Sequence, residues 1–289
     1  MREDRRGGDA ATAVRVARAG FSALADLALP GECAGCGGRA GGRGGPDRRR
    51  PDRREPGCGP GVCAACAAAL DRVPVRVHPA RGRAGLAAVY ALAAYREPLS
   101  DLIVAQKERG RLDLAGPLGR MLGTVVRAAL AECPPGGGDE SGLSYISGAA
   151  DRPQAWAGWR ILLVPIPSNR AAERRRGHRP VLRMARVAAA DLRREGFPVR
   201  VLRALRHGRP VADQVGLSQA ARAANLAGAM RVTPAGVRAL SGGRCVVVLA
   251  DDVCTSGATL SEAARALGAA AGPGSGRRLL AAVLAGPVR

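Results

Sequence analysis

Asp251 and Asp252 stand side by side at the end of an apolar run, VVVLADD, and the small residues Thr255, Ser256, Gly257, Ala258 and Thr259 follow them. Adjacent carboxylates accept hydrogen bonds from vicinal hydroxyls and hold Mg²⁺ through water. A turn of small residues that opens a helix does the opposite: its backbone N–H groups and the positive end of the helix dipole attract an anion. Gly257 allows close approach of the backbone, and the hydroxyls of Thr255, Ser256 and Thr259 add donors. Glu262, three residues after Thr259, completes a capping-box pattern that predicts a helix from Thr259. Two acids repel a bare phosphate, but a ligand whose hydroxyls lie one sugar-width from its phosphate satisfies both halves of the pattern. Ribose 5-phosphate has that spacing. The plain alternative is a strand-loop-helix corner holding two solvated aspartates.

Four of the eight cysteines fall in two CxxC pairs, Cys33 with Cys36 and Cys63 with Cys66. Each pair supplies two sulfurs to one tetrahedral ion, and the small residues Ala34, Gly35, Ala64 and Ala65 let the backbone turn around it. The pattern predicts a structural zinc knuckle, because four thiolates leave no open coordination position for catalysis. A thioredoxin-like redox pair is the alternative, but that motif opens a helix within a βαβ unit, which is not expected here. Cys58 is a spare that could compete as a ligand, whereas Cys133, Cys245 and Cys254 read as ordinary small or buried residues.

Two basic features are candidates for phosphate binding. Pro167 and Ser168 end an apolar run, and Arg170, Arg174, Arg175 and Arg176 follow in what reads as a mobile loop, or alternatively as a solvated basic helix start; guanidinium groups bind phosphate oxygens bidentately. Lys107 is the only lysine among 45 basic residues, which fits either a position that wants a compact point charge or simple chance. His178 reads as a surface residue.

The elements that must position these groups follow from periodicity. Residues 11–29 predict a short amphipathic helix ahead of Pro30, so that 1–29 forms an N-terminal unit. Residues 30–72 form the cysteine segment, interrupted by a Gly, Pro, Arg and Asp stretch too polar to bury anything and expected to be flexible. A globular domain is expected over 85–289, with a second flexible insertion at 134–160. Within it LAAVYALAAY alternates loosely like a strand pair, and residues 98–132 predict one or two helices. Runs at 161–166, 199–202, 245–250 and 279–286 predict strands, alternating with helical patterns at 180–195, 218–227 and 259–271. That alternation gives α/β architecture, a parallel twisted sheet flanked by helices, whose ligands sit at the carboxyl ends of the strands.

Composition sets the outer bounds. The 289 residues are 47% hydrophobic, ample for a core, and a formal net charge of +21 favours polyanionic partners without choosing among them. Aromatic residues make up 2% of the chain, which weakens a reading in which single strands are bound by stacking. No segment approaches the roughly 18 apolar residues of a membrane span, so no membrane span is expected and the location reads as cytoplasmic. Thiols stay reduced there, consistent with a metal role for the CxxC pairs.

The run of four apolar residues, two acids, two variable positions and a Thr/Ser/Gly-rich loop resembles the signature of the type I phosphoribosyltransferases. Several further features narrow the resemblance to the ComF-like family of that fold: the paired CxxC motifs, YREPLSDLIVAQKERGR, ILLVPIPSNRAAERRRGHRP, and the element with Gln214, Gly216, Leu217, Ser218, Arg222 and Asn225. Gly177, His178, Arg179 and Pro180 depart from the aromatic and amide residues common after "RG" in that family.

The resemblance implies a type I phosphoribosyltransferase-like sheet with a small N-terminal four-Cys zinc-binding element. It implies phosphoribosyl pyrophosphate as ligand, with Mg²⁺. Asp251 and Asp252 would take the ribose 2- and 3-hydroxyls and Cys254 to Thr259 the 5-phosphate. Lys107, Pro167, Ser168, Arg170, Arg174, Arg175 and Arg176 would face the pyrophosphate. Two readings follow. In one, the protein transfers phosphoribose to a nitrogen acceptor, orienting the sugar and stabilising the departing charge. In the other, a non-enzymatic protein retains the fold, binds single-stranded DNA and works with the DNA-uptake machinery of competent bacteria. Regulation by phosphoribosyl pyrophosphate without turnover is a third possibility.

Overall fold

A computed structural model describes residues 31–38, 59–79, 85–131, 152–209, 219–271 and 278–288. The helix expected before Pro30, Cys58, the Gly/Arg/Pro stretch, residues 132–151 and Gln214 to Ser218 lie outside the described residues.

The strands are β1 (Val75–Val77), β2 (Ala88–Ala94), β3 (Arg160–Pro165), β4 (Val199–Val201), β5 (Leu205–His207), β6 (Met230–Val232), β7 (Cys245–Val253) and β8 (Arg278–Gly286). The helices are α1 (Ala64–Ala69), α2 (Leu99–Glu108), α3 (Ala115–Ala131), α4 (Arg170–Arg176), α5 (Pro180–Arg194), α6 (Gln219–Leu226), α7 (Pro234–Ser241) and α8 (Ala258–Ala271). Six strands form one sheet in the order β1-β2-β8-β7-β3-β4, parallel except for the antiparallel β1–β2 edge. β5 and β6 pair as a separate antiparallel hairpin. The protein is thus an α/β fold with a mostly parallel sheet, as the alternation of apolar runs and helical patterns predicts.

Both faces of the sheet are covered, which is why its central strands are apolar at nearly every position. Val246, Val248 and Ala250 of β7 join Ile161 and Leu163 of β3 in a core completed by Leu102 and Ile103 of α2, Leu122 and Val126 of α3 and Met184 and Ala188 of α5. Val247 and Leu249 face the other way, with Leu162 and Val164, against Leu260, Ala263 and Leu267 of α8. Among the described residues no helix is long and apolar enough to cross a membrane.

Three local expectations need correction. LAAVYALAAY is one strand, β2, because no turn residue interrupts it and every residue of its length can pair with β8. Arg170 to Arg176 form a helix, not a loop: Asn169 Oδ1 accepts the Ala171 N–H at 2.9 Å and caps it. The last part of the segment expected to be a flexible insertion, 152–160, is packed. Trp156 is fully buried in a 3-10 turn at Pro153–Trp156, its ring meets that of Trp159 edge-on at 6.3 Å, and β3 already begins at Arg160.

Strand order fixes where a ligand can enter. β3 continues through α4 and α5, which packs on one face, to β4 on its outer side; β7 continues through α8, on the opposite face, to β8 on the other side. The chain therefore leaves neighbouring strands in opposite directions at the carboxyl ends of β3 and β7. Such a switch point opens a crevice between the loops.

Candidate functional site

The two aspartates occupy that crevice. β7 runs through both of them to Val253, and side chains alternate across a strand. Asp252 shares a face with Val248 and Ala250 and meets α2, where Lys107 Nζ lies 2.6 Å from its Oδ2. Asp251 lines a hollow of about 30 Å³ with Cys254 to Leu260 at the start of α8. That is about the share of one water in the liquid. Its Oδ1 also accepts the Asp252 N–H at 2.9 Å. The adjacent acids thus differ in role: one is neutralised by a cation, and the other looks into the loop.

Burial, together with the charge of Asp252, pushes the Asp251 carboxyl up to about 8, against a smaller downward pull from Lys107. A carboxyl in that range keeps its proton at neutral pH until a cation or donor arrives. Burial works to lower the pKa of Lys107, but the negative charges of Asp252 and Asp251 outweigh it and the group is raised, so it stays an ammonium. Burial and the Asp251 charge push the Cys254 thiol up to about 12, which makes it a small apolar residue and no nucleophile.

The loop after β7 supplies donors. Gly257 has φ +82°, the left-handed turn that lets the chain swing into α8. Cys254 N–H is taken by the Ala285 carbonyl at 2.8 Å and Ala258 N–H by Ser256 Oγ at 3.5 Å. Among the described residues no acceptor takes the N–H groups of Thr255, Ser256 and Thr259. Unfilled donors at the N-terminus of a 14-residue helix are the kind of group that can receive an anion. The expected capping box does not form. Glu262 turns away to accept the Met230 N–H at 2.9 Å and to pair with Arg265, tying β6 to α8.

Opposite this loop, Pro167 and Ser168 leave β3 half-buried, and the Pro167 carbonyl accepts His207 Nε2–H at 3.0 Å, which fixes the β5–β6 hairpin over the end of β3. The arginine cluster divides. Arg175 and Arg176 both pair with Glu108, the last residue of α2, while Arg174 is exposed. Arg170 begins α4. His178 is buried, not a surface residue, with its two ring nitrogens against the Arg176 and Gln106 carbonyls at 3.0 and 3.1 Å. Sequence reasoning missed Gln106 and Glu108; their only signal was that they flank the one lysine in AQKERG.

The four cysteines come together. The Sγ atoms of Cys33, Cys36, Cys63 and Cys66 all lie within 4.8 Å of one another, and Cys36 and Cys63 are 3.6 Å apart. A tetrahedral ion with metal–sulfur bonds of about 2.3 Å sets its ligands about 3.8 Å apart. The donor set therefore fits a structural metal ion such as zinc. Cys63 caps a short helix, α1, that contains Cys66, but among the described residues no βαβ unit surrounds it, and both sulfurs converge on the first pair. The Cys63 N–H donates to Cys33 Sγ at 3.3 Å. Burial raises the Cys33 pKa, but this bond and the backbone N–H groups of Gly35 and Cys36 outweigh it and lower the thiol to about 6. A cleft of about 520 Å³ opens beside the contact between this element and α2, with acids (Glu32, Glu97, Asp101) and arginines (Arg109, Arg111) both in its lining.

Neither a family model nor a curated protein sequence matches this chain.

Proposed function

We propose that this is a ComF-like protein of the type I phosphoribosyltransferase fold that binds phosphoribosyl pyrophosphate with Mg²⁺ at the crevice between β3 and β7. The observation that carries the reading is the juxtaposition at the end of β7. Unfilled N–H donors of Thr255, Ser256 and Thr259 stand beside a protonatable Asp251 and a lysine-neutralised Asp252. The donors suit a 5-phosphate, and the carboxylates suit sugar hydroxyls and the water shell of Mg²⁺. Lys107, 30% exposed, and the Pro167–Ser168 loop face the pyrophosphate end. Bound Mg²⁺ would neutralise the pyrophosphate as it leaves. The chain's own work is then to orient the sugar, exclude water and hold charge in place.

Transfer of phosphoribose to a nitrogen acceptor is the enzymatic form of this reading. A net charge of +21 favours the second form, in which the fold handles single-stranded DNA through its phosphates. Calorimetry with Asp251→Asn separates them. Loss of phosphoribosyl pyrophosphate binding with DNA affinity intact identifies a metabolite site. Salt-sensitive DNA binding with no sugar-phosphate binding in the unmodified protein rejects it. A screen for pyrophosphate release across bases and amines then decides turnover.

A further inference from the structure

The structure assigns α2 a second role, as a strut through which metal loading of the four-Cys element holds the sugar-phosphate site in register. The inference rests on the reading of the β7–α8 crevice given above.

One end of the strut lies on the cysteine loop. A Cβ on Gly35 would stand 3.0 Å from Pro98 Cβ and 3.6 Å from Leu102 Cδ2, so loop and helix touch with no side chain between them. Cys33 and Cys66 are buried in the same apolar cluster as Leu99, Leu102 and Ile103. Past the opposite, C-terminal end of the helix, Arg111 Nη1 donates to the Glu32 carbonyl at 3.3 Å, so the cysteine segment runs alongside α2. No side chain caps the helix at Pro98, and the Gly35 loop covers a first turn whose Leu99 and Leu102 also pack in the main core.

The other end grips the crevice with three consecutive residues. The Gln106 carbonyl accepts from His178, Lys107 pairs with Asp252, and Glu108 pairs with Arg175 and Arg176. One turn of helix thereby joins the loop after β3 to the end of β7. A ten-residue helix is about 15 Å long and too short to be stable alone, so its position is set by what it packs against.

Metal enters at the first end. Four sulfurs and a six-residue helix make too small an element to hold itself together, and in such elements metal-binding energy is folding energy. Without the ion the Gly35 turn loses the bonds that fix its geometry against Pro98, and the grip at Lys107 loosens. Glu108 is thus a positioning residue acting through α2, and the same helix holds Lys107 at the pyrophosphate end.

The test is hydrogen–deuterium exchange on the full chain, zinc-loaded and chelator-treated, with phosphoribosyl pyrophosphate affinity measured on the same samples. Chelation is expected to speed exchange in 99–108 and 251–258 as well as in the cysteine loops, while β8 stays protected, and to weaken binding at least tenfold. Lys107→Met in the zinc-loaded protein should weaken binding similarly, with little further loss on chelation. Faster exchange confined to the cysteine loops, or losses from chelation and Lys107→Met that simply add, overturns the strut. If the zinc-loaded protein binds no phosphoribosyl pyrophosphate, the ligand reading fails and the exchange pattern alone still decides the coupling.

Discussion

Lys107 Nζ sits 2.6 Å from Asp252 Oδ2, so the single lysine of the chain neutralises the more deeply buried of the two crevice acids, whose side chain is 4% exposed. The two halves of this pair are unequal. Lys107→Met leaves a carboxylate buried without its cation and should cost about 2 kcal/mol in a urea titration. Asp252→Asn leaves a lysine that can hydrate and should cost less than about 1 kcal/mol. Lys107→Arg keeps the charge but spreads it over a plane, and should weaken pyrophosphate affinity roughly tenfold at near-normal stability. Equal stability losses in the first two variants would show that Asp252 is hydrated, and unchanged affinity in the third would remove Lys107 from the ligand site.

Asp251 makes affinity depend on pH. Its carboxyl is raised from 3.8 to about 8, and its carboxylate is the form that accepts sugar hydroxyls or the water shell of Mg²⁺. Affinity should climb by up to about tenfold per pH unit below 8 and level off above it, with proton release on binding visible as a buffer-dependent heat. Asp251→Asn, which cannot ionise, should bind at or below the low-pH level of the wild type at every pH. The sign for folding is opposite. The native state holds a proton that the unfolded chain gives up near 3.8, so this group's contribution falls as pH rises from about 4 to about 8.

The parallel sheet was legible because its strands are short apolar runs spaced by helical patterns, and the cysteine cluster because CxxC spacing constrains geometry locally. What escaped was whatever depended on partners distant in sequence. Glu262 reads as a capping residue three positions from Thr259, but a bare backbone N–H on Met230 competes for it and wins. The arginines after Ser168 read as a loop because nothing local shows that Glu108 will neutralise two of them. Trp156 and Trp159, the two tryptophans of the chain, were the overlooked signal that residues 152–160 are packed.

Glu262 holds the β5–β6 hairpin on α8. Its carboxylate, 5% exposed, accepts the Met230 N–H and pairs with Arg265. Glu262→Ala orphans that buried N–H and should cost about 2 kcal/mol, whereas Glu262→Gln keeps an acceptor and should cost about half as much. Burial opposes ionisation here, but Arg265 and the backbone N–H groups of Met230 and Gly228 outweigh it, and the pKa is lowered from 4.5. The contribution is therefore complete above 4.5 and lost as pH falls through the lower folded value. Urea midpoints for the wild type and Glu262→Gln should converge on acidification; a constant gap would exclude an ionised Glu262.

The four-Cys cluster should carry one zinc per chain. Cys33 and Cys66 are buried and Cys36 is exposed, so the ion would close an element whose apolar contribution is small, and its removal should be felt as unfolding of that element. Chelation is expected to release four thiols to a chromogenic disulfide reagent, while Cys245 and Cys254, at 3% and 4% exposure, stay unreactive until the domain unfolds. Cobalt substitution should give the intense d–d bands of a tetrahedral tetrathiolate. Less than half an equivalent of metal in protein purified without chelator would leave the convergence of these sulfurs without its ion, and with it the support for α2.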